Sequence, residues 1–244
     1  MKTVATIEAR MTSTRLPGKV LKESCGLPML GHLVQRLKKV NLVDEIVLAT
    51  TRNSTDNILE EFAKNYNINC YRGSEDNVME RVLEAGQFSK ADILVEITGD
   101  CPLIDPIIIE QTINVFNANN TDYVSNNNVR SYPDGMDTQV YALETLRKSA
   151  SMTNNKLDQE HVTLHIRNNP DIFSRINLIA PNDLFWPELG LTLDEEDDFI
   201  LLDKIIKALY HLDPCFSCNR IIKYLKEHPE IVKLNQHVIR KGDT

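Results

Sequence analysis

Through the first 117 residues, short apolar runs alternate with segments of helical period, and that rhythm limits the fold more than any other feature. Residues 4–7 (V-A-T-I), 45–50 (E-I-V-L-A-T), 69–71 (N-C-Y) and 91–98 (A-D-I-L-V-E-I-T) read as strands. Residues 28–39, 55–66, 76–88 and 107–117 read as helices; Ile58, Leu59, Phe62 and Ala63, for example, fall on one helical face. Strands joined by helices make a mostly parallel sheet covered on both faces, so the class is α/β. No period of solenoid length recurs.

The rhythm changes after Asn117. Residues 122–126 and 138–142 read as strands around the polar loop N-N-N-V-R-S-Y-P-D-G-M-D. Helices are expected at 143–150 and 157–168, strands at 173–180 and 191–194, and helices again at 195–210 and 219–228. This break suggests a small antiparallel lobe appended to the parallel part. No stretch is rich enough in Pro, Gly or Ser to be a linker, and 244 residues fit one domain, 1–244.

The loop after the first strand, A-R-M-T-S-T-R-L-P-G-K, carries the strongest local charge signal. Between Met1 and Lys22 stand Lys2, Arg10, Arg15, Lys19 and Lys22 against Glu8 alone, in a chain of formal net charge −8. A positive loop with small hydroxyl residues and a glycine suits an anion, because backbone N–H groups can approach phosphate oxygens. Arginines clamp phosphate bidentately, and Lys19 would act as a point charge. The competing reading is a solvated basic loop. The acidic balance argues against nucleic acid as a partner. No apolar run reaches the roughly 20 residues of a membrane helix, and Glu8 and Arg10 interrupt any signal-peptide core. A cytoplasmic protein is expected. The five scattered cysteines do not form a disulfide framework, and Cys215-Phe216-Ser217-Cys218 lacks the second pair that zinc usually needs.

Asp100, in T-G-D-C-P-L-I-D-P, ends the fourth strand. Ligands of open parallel sheets lie beyond the carboxyl ends of strands, so Asp100 is a candidate Mg²⁺ ligand; its alternative is a turn or cap aspartate. Asp105, directly before Pro106, suits a helix N-cap better. Asp194 ends L-T-L-D in the same way as Asp100. The four acids that follow it suit the positive end of a helix dipole.

Six segments carry a wider resemblance: A-R-M-T-S-T-R-L-P-G-K, Y-R-G-S-E-D-N-V-M-E-R, T-G-D-C-P-L-I-D-P, P-D-G-M-D-T-Q-V-Y, Q-E-H-V-T-L-H-I and L-T-L-D-E-E-D-D-F. In this order they resemble the spore coat polysaccharide biosynthesis protein F family of cytidylyltransferases. Its relatives are the synthetases that activate 3-deoxy-octulosonate and sialic acid as CMP-sugars. The resemblance implies a nucleotide-diphospho-sugar transferase fold, a Rossmann-like three-layer α/β/α sandwich around a mostly parallel mixed sheet. Residues 1–117 would form the nucleotide half and 118–244 the acceptor and metal half. Arg10, Ser13, Arg15 and Lys19 match the loop that holds the nucleotide phosphates. Arg72, Ser74 and Arg81 match a segment lining the nucleotide pocket. Asp100 and Asp194 match the Mg²⁺-binding aspartates. Asp137, Glu160 and His161 match positions facing the acceptor, with Arg130 and Gln139 beside them; helix capping is the alternative for His161.

The implied reaction is transfer of CMP from CTP to a small sugar, an acidic 3-deoxy-keto-sugar, with Lys19, Arg15 and Asp100 as catalytic residues. A sugar 1-phosphate or phosphonate acceptor is the alternative enzyme reading, and a non-catalytic nucleotide-binding module the alternative of another class. A homodimer is a further implication. Glu196 stands where the family has proline, and Gln139 where it has an acid. Two carboxylates facing each other without metal are expected to repel, raising at least one pKa.

Overall fold

The computed structural model describes residues 1–240. Four strands form the parallel part of one sheet: β1 (Thr3–Glu8), β4 (Glu45–Thr51), β5 (Asn69–Gly73) and β6 (Ile93–Thr98). A two-stranded antiparallel ribbon, β2 (Glu23–Ser24) with β3 (Leu27–Pro28), separates β1 from β4 in the chain. The sheet continues with β7 (Tyr123–Ser125), β8 (Gln139–Ala142) and β9 (Arg175–Asn177), in the order β5-β4-β1-β6-β8-β7-β9. Only β8 runs against the other six. The antiparallel character expected after Asn117 therefore lies inside the main sheet, which spans both halves of the sequence.

Alternation along each strand sorts side chains to two helical layers. Ala5, Ile7, Leu48 and Val95 meet α1 (Met29–Leu37), α2 (Asn57–Asn65) and α4 (Pro106–Ala118), which bury Leu30, Leu33, Leu59, Phe62, Ile109 and Ile113. Val4, Val47, Leu94 and Tyr141 meet α3 (Val78–Phe88), α5 (Leu143–Met152) and α7 (Leu164–Asn168) on the other face. A third cluster joins α8 (Glu196–Leu209) and α9 (Cys218–Glu227) to Met29 of α1 and Ile108 of α4. Each fully buried Leu or Ile in these layers contributes about 1.5–3 kcal/mol relative to exposure.

The helix starts follow local chemistry. Asn77 caps α3 by accepting the Glu80 N–H, and Asp105 caps α4 by accepting the Ile107 N–H ahead of Pro106. Ser217 caps α9; Cys218 begins that helix, buried, with its N–H donated to Asp105 Oδ2 at 2.7 Å. The two C-x-x-C thiols are free, and burial raises the pKa of each.

Three expectations need correction. The helix expected at 157–168 is two, α6 (Lys156–Glu160) and α7, broken at Val162 with φ +39°. The break turns Thr163 inward, where its hydroxyl donates to Gln139 Oε1 at 2.5 Å. The strand expected at 173–180 shortens to β9. Residues 191–194 are no strand; they lie between two loops, with Leu191 N–H donated to Asp134 O at 2.7 Å and Leu193 N–H to Asp100 O at 2.8 Å. Gly135 permits that approach: its φ is +99°, and a Cβ there would meet the Leu191 backbone at 2.8 Å. None of the described helices is long and apolar enough to cross a membrane.

Candidate active site

The loops after β1, β4, β5 and β6 share one edge of the sheet, because those strands are parallel. The loop between β7 and β8 reaches the same edge, because β8 starts there. Asp100, the basic loop and the polar middle loop are thus delivered to one place by topology, and Asp194 joins them through the Leu193 N–H donated to Asp100 O.

The basic loop closes on itself through Gly18 N–H to Met11 O at 2.9 Å, and a 3-10 turn at Lys19–Leu21 follows. Asp56, fully buried, accepts the Met11 N–H at 2.8 Å and the hydroxyls of Thr50 and Thr51, tying the loop to the end of β4. Glu75 accepts from Arg10 Nη1 at 3.1 Å, Thr12 Oγ1 at 2.9 Å and Asn53 Nδ2 at 2.6 Å. Those contacts hold the Glu75 carboxyl below its ordinary pKa, the Asn53 and Thr12 hydrogen bonds foremost. Ser13 lies half-buried between these anchors.

Lys19 occupies the centre. Its Nζ lies 3.1 Å from Asp100 Oδ2 and 3.0 Å from Asp194 Oδ1, so the two carboxylate oxygens are no further apart than those two distances laid end to end. Arg15 Nη2 adds a contact to Asp194 Oδ1 at 2.8 Å, and its Nη1 lies 3.6 Å from Glu195 and 3.1 Å from the Ile239 carbonyl. At Asp100 the pKa moves opposite to the expected rise. Burial pushes Asp100 up, but the Lys19 ammonium and a Thr98 hydrogen bond outweigh it, and the Asp100 pKa lies below its ordinary value. Burial lowers Lys19, and Asp100 and Asp194 more than reverse that. Magnitudes agree: at an effective dielectric near 20, two like charges about 6 Å apart repel by roughly 3 kcal/mol, while each ammonium–carboxylate pair at about 3 Å attracts by roughly 5 kcal/mol.

No group of three or more His, Cys, Asp or Glu able to hold a metal occurs among the described residues. A cation here would have Asp100 and Asp194 as its protein ligands. That donor set, two hard oxygens around a point already held by an ammonium, fits Mg²⁺, which takes one or two carboxylates and leaves its other positions to phosphate and water.

Two arginines expected at the nucleotide serve the scaffold. Arg72 spends its guanidinium on Thr51 O (2.9 Å), Asn53 O (2.7 Å), Asn57 Oδ1 (2.8 Å) and Glu60 (3.2 Å), so it braces the rim of the β4 loop. Arg81 is buried and donates to the Ser74 carbonyl, shaping the turn in which Ser74 Oγ accepts the Asn77 N–H at 3.1 Å. Gln139 is also not turned to a ligand. It lies in a buried polar row that crosses the sheet through Thr6, Glu96, Gln139 and Ser125, paired by register. Its Nε2 donates to Glu96 Oε1 at 3.0 Å, and its Oε1 accepts from Tyr123 and Thr163. Burial pushes the Glu96 carboxyl up to about 7, against hydrogen bonds from Tyr141 and Gln139. Neighbouring Glu8 is raised as well, by burial first and then by Glu96.

Of the expected acceptor residues, Arg130 is exposed and pairs with Asp134 at 3.2 Å, while Asp137 is half-buried beside backbone that Asn126 fixes. Glu160 and His161 close α6, with His161 at the C-cap. Asp56, Glu75 and Asp198 were not singled out from sequence. Asp56 had a signal, S-T-D ahead of a helical period, but one that turns share.

Residues 4–235 match the cytidylyltransferase family. The chain is 31% identical to a solved cytidylyltransferase from Leptospira borgpetersenii, with a TM-score of 0.90 over 99% of this chain and 100% of that one. It is 32% identical to the spore coat polysaccharide biosynthesis protein SpsF of Bacillus subtilis, over 92% of this chain and 94% of that protein. Over 113 residues, 46% of this chain and 44% of the other, it is 35% identical to the 3-deoxy-manno-octulosonate cytidylyltransferase of Geobacter metallireducens.

Proposed function

Because the chain belongs to the cytidylyltransferase family, we propose that it transfers CMP from CTP to an acidic 3-deoxy-keto-sugar of the octulosonate or nonulosonate kind, for a cell-surface polysaccharide or glycoconjugate. The observation that carries this reading is Lys19 Nζ between Asp100 and Asp194 at the root of the basic loop. A basic loop and a pair of carboxylates at the sheet edge, held within one ammonium of each other, make a place for a nucleotide triphosphate and its counter-cation.

The acceptor hydroxyl oxygen attacks the α-phosphorus. The new O–P bond forms as the bond from that phosphorus to the bridging oxygen breaks; pyrophosphate leaves with the electron pair, and the hydroxyl proton is lost to water. Such a transfer needs positioning and charge stabilisation more than covalent help. Arg10, Arg15 and Lys19 neutralise the charge that grows on the leaving pyrophosphate. Asp100 and Asp194 would hold Mg²⁺, which supplies Lewis acidity at the phosphate oxygens and lowers the pKa of the acceptor hydroxyl. Arg15 leaves Asp194 and Glu195 to meet phosphate, exchanging carboxylate partners for a more highly charged one. The half-buried Asp137 and the segment ending at His161 offer the acceptor side, and Arg130, already paired with Asp134, gives little support to a phosphorylated acceptor.

The test is pyrophosphate release with four nucleoside triphosphates against acidic keto-sugars, neutral sugars and sugar 1-phosphates. Release with CTP and an acidic keto-sugar supports the reading. Release only with a sugar 1-phosphate moves the acceptor class, and CTP binding with no release from any acceptor leaves a binding module.

A further inference from the structure

The reaction leaves one group of charges unexplained, where the end of the described chain meets the start of α8. Asp198 is fully buried. Its Oδ2 accepts the N–H groups of Asp194 at 3.0 Å and Glu195 at 2.9 Å. Its Oδ1 accepts from Asn235 Nδ2 at 2.7 Å and Arg240 Nη2 at 2.9 Å. Arg240 Nε also lies 3.2 Å from Asp134 Oδ2, in the middle loop.

The seat of this arginine is built. Its guanidinium lies against Gly190, where any Cβ would collide with it. Asn235 Nδ2 donates to the Gly190 carbonyl at 3.0 Å. One residue before Arg240, the Ile239 carbonyl accepts from Arg15 Nη1. The last described residues thus touch the arm bearing Asp194, the middle loop and the basic loop together.

A buried carboxylate is costly unless a cation and hydrogen bonds satisfy it. Asp198 is the carboxylate that fixes the backbone of Asp194, and Arg240 is the cation that satisfies Asp198. We propose that Arg240 is a positioning residue for the transfer: through Asp198 it sets where the Asp194 carboxylate stands relative to Lys19 and Asp100. This rests on the functional reading above for its effect on turnover, but not for its effect on the Asp194 arm. Asp134 is a second anchor on the loop side. The Asp198 contact governs the arm, so a lysine at 240 that reaches Asp198 alone retains most of the function.

The experiment pairs steady-state kinetics with hydrogen exchange on the full chain, for wild type, Arg240→Met and Arg240→Lys. Arg240→Met is expected to lower kcat by about tenfold or more with KM for CTP changed less than about threefold. The Asp194 and Glu195 amides should exchange about tenfold faster, while amides of β1 and β6 keep wild-type rates. Arg240→Lys should recover most of both losses. Arg240→Gln replaces Arg240→Met in the comparison if the latter does not fold. Wild-type kcat with wild-type exchange in Arg240→Met overturns the proposal, as does faster exchange spread evenly over the sheet. Exchange is read on the protein alone, so a wild type that releases no pyrophosphate defeats the functional reading without touching this measurement.

Discussion

The backbone carbonyl of Asp100 accepts the N–H of Leu193 at 2.8 Å. This single bond joins the loop after β6 to the segment before α8 and brings together two carboxylates far apart in sequence. Lys19 then fills the space between them, and Arg15 flanks Asp194 from the other side.

Removing the ammonium leaves the two carboxylates facing each other. Lys19→Met is expected to destabilise the metal-free protein by about 2 kcal/mol, or roughly 4–8 °C in thermal midpoint for a chain of this size. Added Mg²⁺ should restore part of that midpoint in Lys19→Met and change wild type much less. Differential scanning fluorimetry with and without Mg²⁺ reads both; a Lys19→Met protein indifferent to Mg²⁺ would argue against a shared cation site.

Asp100→Asn and Asp194→Asn replace a carboxylate by a nearly isosteric amide. Each is expected to keep the fold and lower kcat by about 100-fold or more, the scale of losing a group that stabilises transition-state charge. Circular dichroism and pyrophosphate release check the pair. Full activity in Asp194→Asn would leave Asp100 as the only carboxylate the reaction needs.

Arg15→Ala should weaken CTP binding by about tenfold or more, because a bidentate phosphate clamp contributes more than a surface ion pair. Titration calorimetry with CTP measures this without an acceptor. Unchanged affinity would remove Arg15 from the phosphate site.

Glu96 gives a pH signature of stability. Its folded pKa, about 7, lies above the unfolded value near 4.5. The folded state therefore binds the extra proton between those values, so stability is fully present below about 4.5 and falls as pH rises to about 7, by on the order of 3 kcal/mol. Glu96→Gln should flatten that slope between pH 5 and 8. Urea unfolding at several pH values tests it; an unchanged slope would place the proton elsewhere, with Glu8 next in line.

Much of the edge that carries the site was legible because it depends on period and order. Strand–helix alternation in residues 1–117 was enough to place the loops after β1 and β6 on one edge, and with them Lys19 and Asp100; that the two strands are neighbours came from the fold. Asp105 was legible as a cap because its chemistry is local. Asp194 lies beside Asp100, as expected, but not for the reason given: L-T-L-D resembles a strand, yet residues 191–194 are held by Asp134 and Asp100 rather than by a sheet. The partners of Arg72, Arg81 and Gln139 were not legible, because motif position says nothing of a side chain's partners. Their guanidinium and amide groups are consumed by backbone carbonyls and buried neighbours that only the fold supplies. Asp198 looked like one of four dipole acids, and its burial against Asn235 and Arg240 is a long-range fact.

In the proposed reaction, this edge joins the α-phosphate of CTP to a sugar oxygen. Phosphorus NMR of wild-type protein with CTP, Mg²⁺ and an acidic 3-deoxy-keto-sugar tests it most directly. The expected result is loss of the three CTP resonances together with equal growth of one phosphodiester signal and free pyrophosphate, dependent on the sugar and abolished in Asp100→Asn. CTP left intact with every acidic keto-sugar, or consumed to CMP or CDP without a phosphodiester, would contradict it.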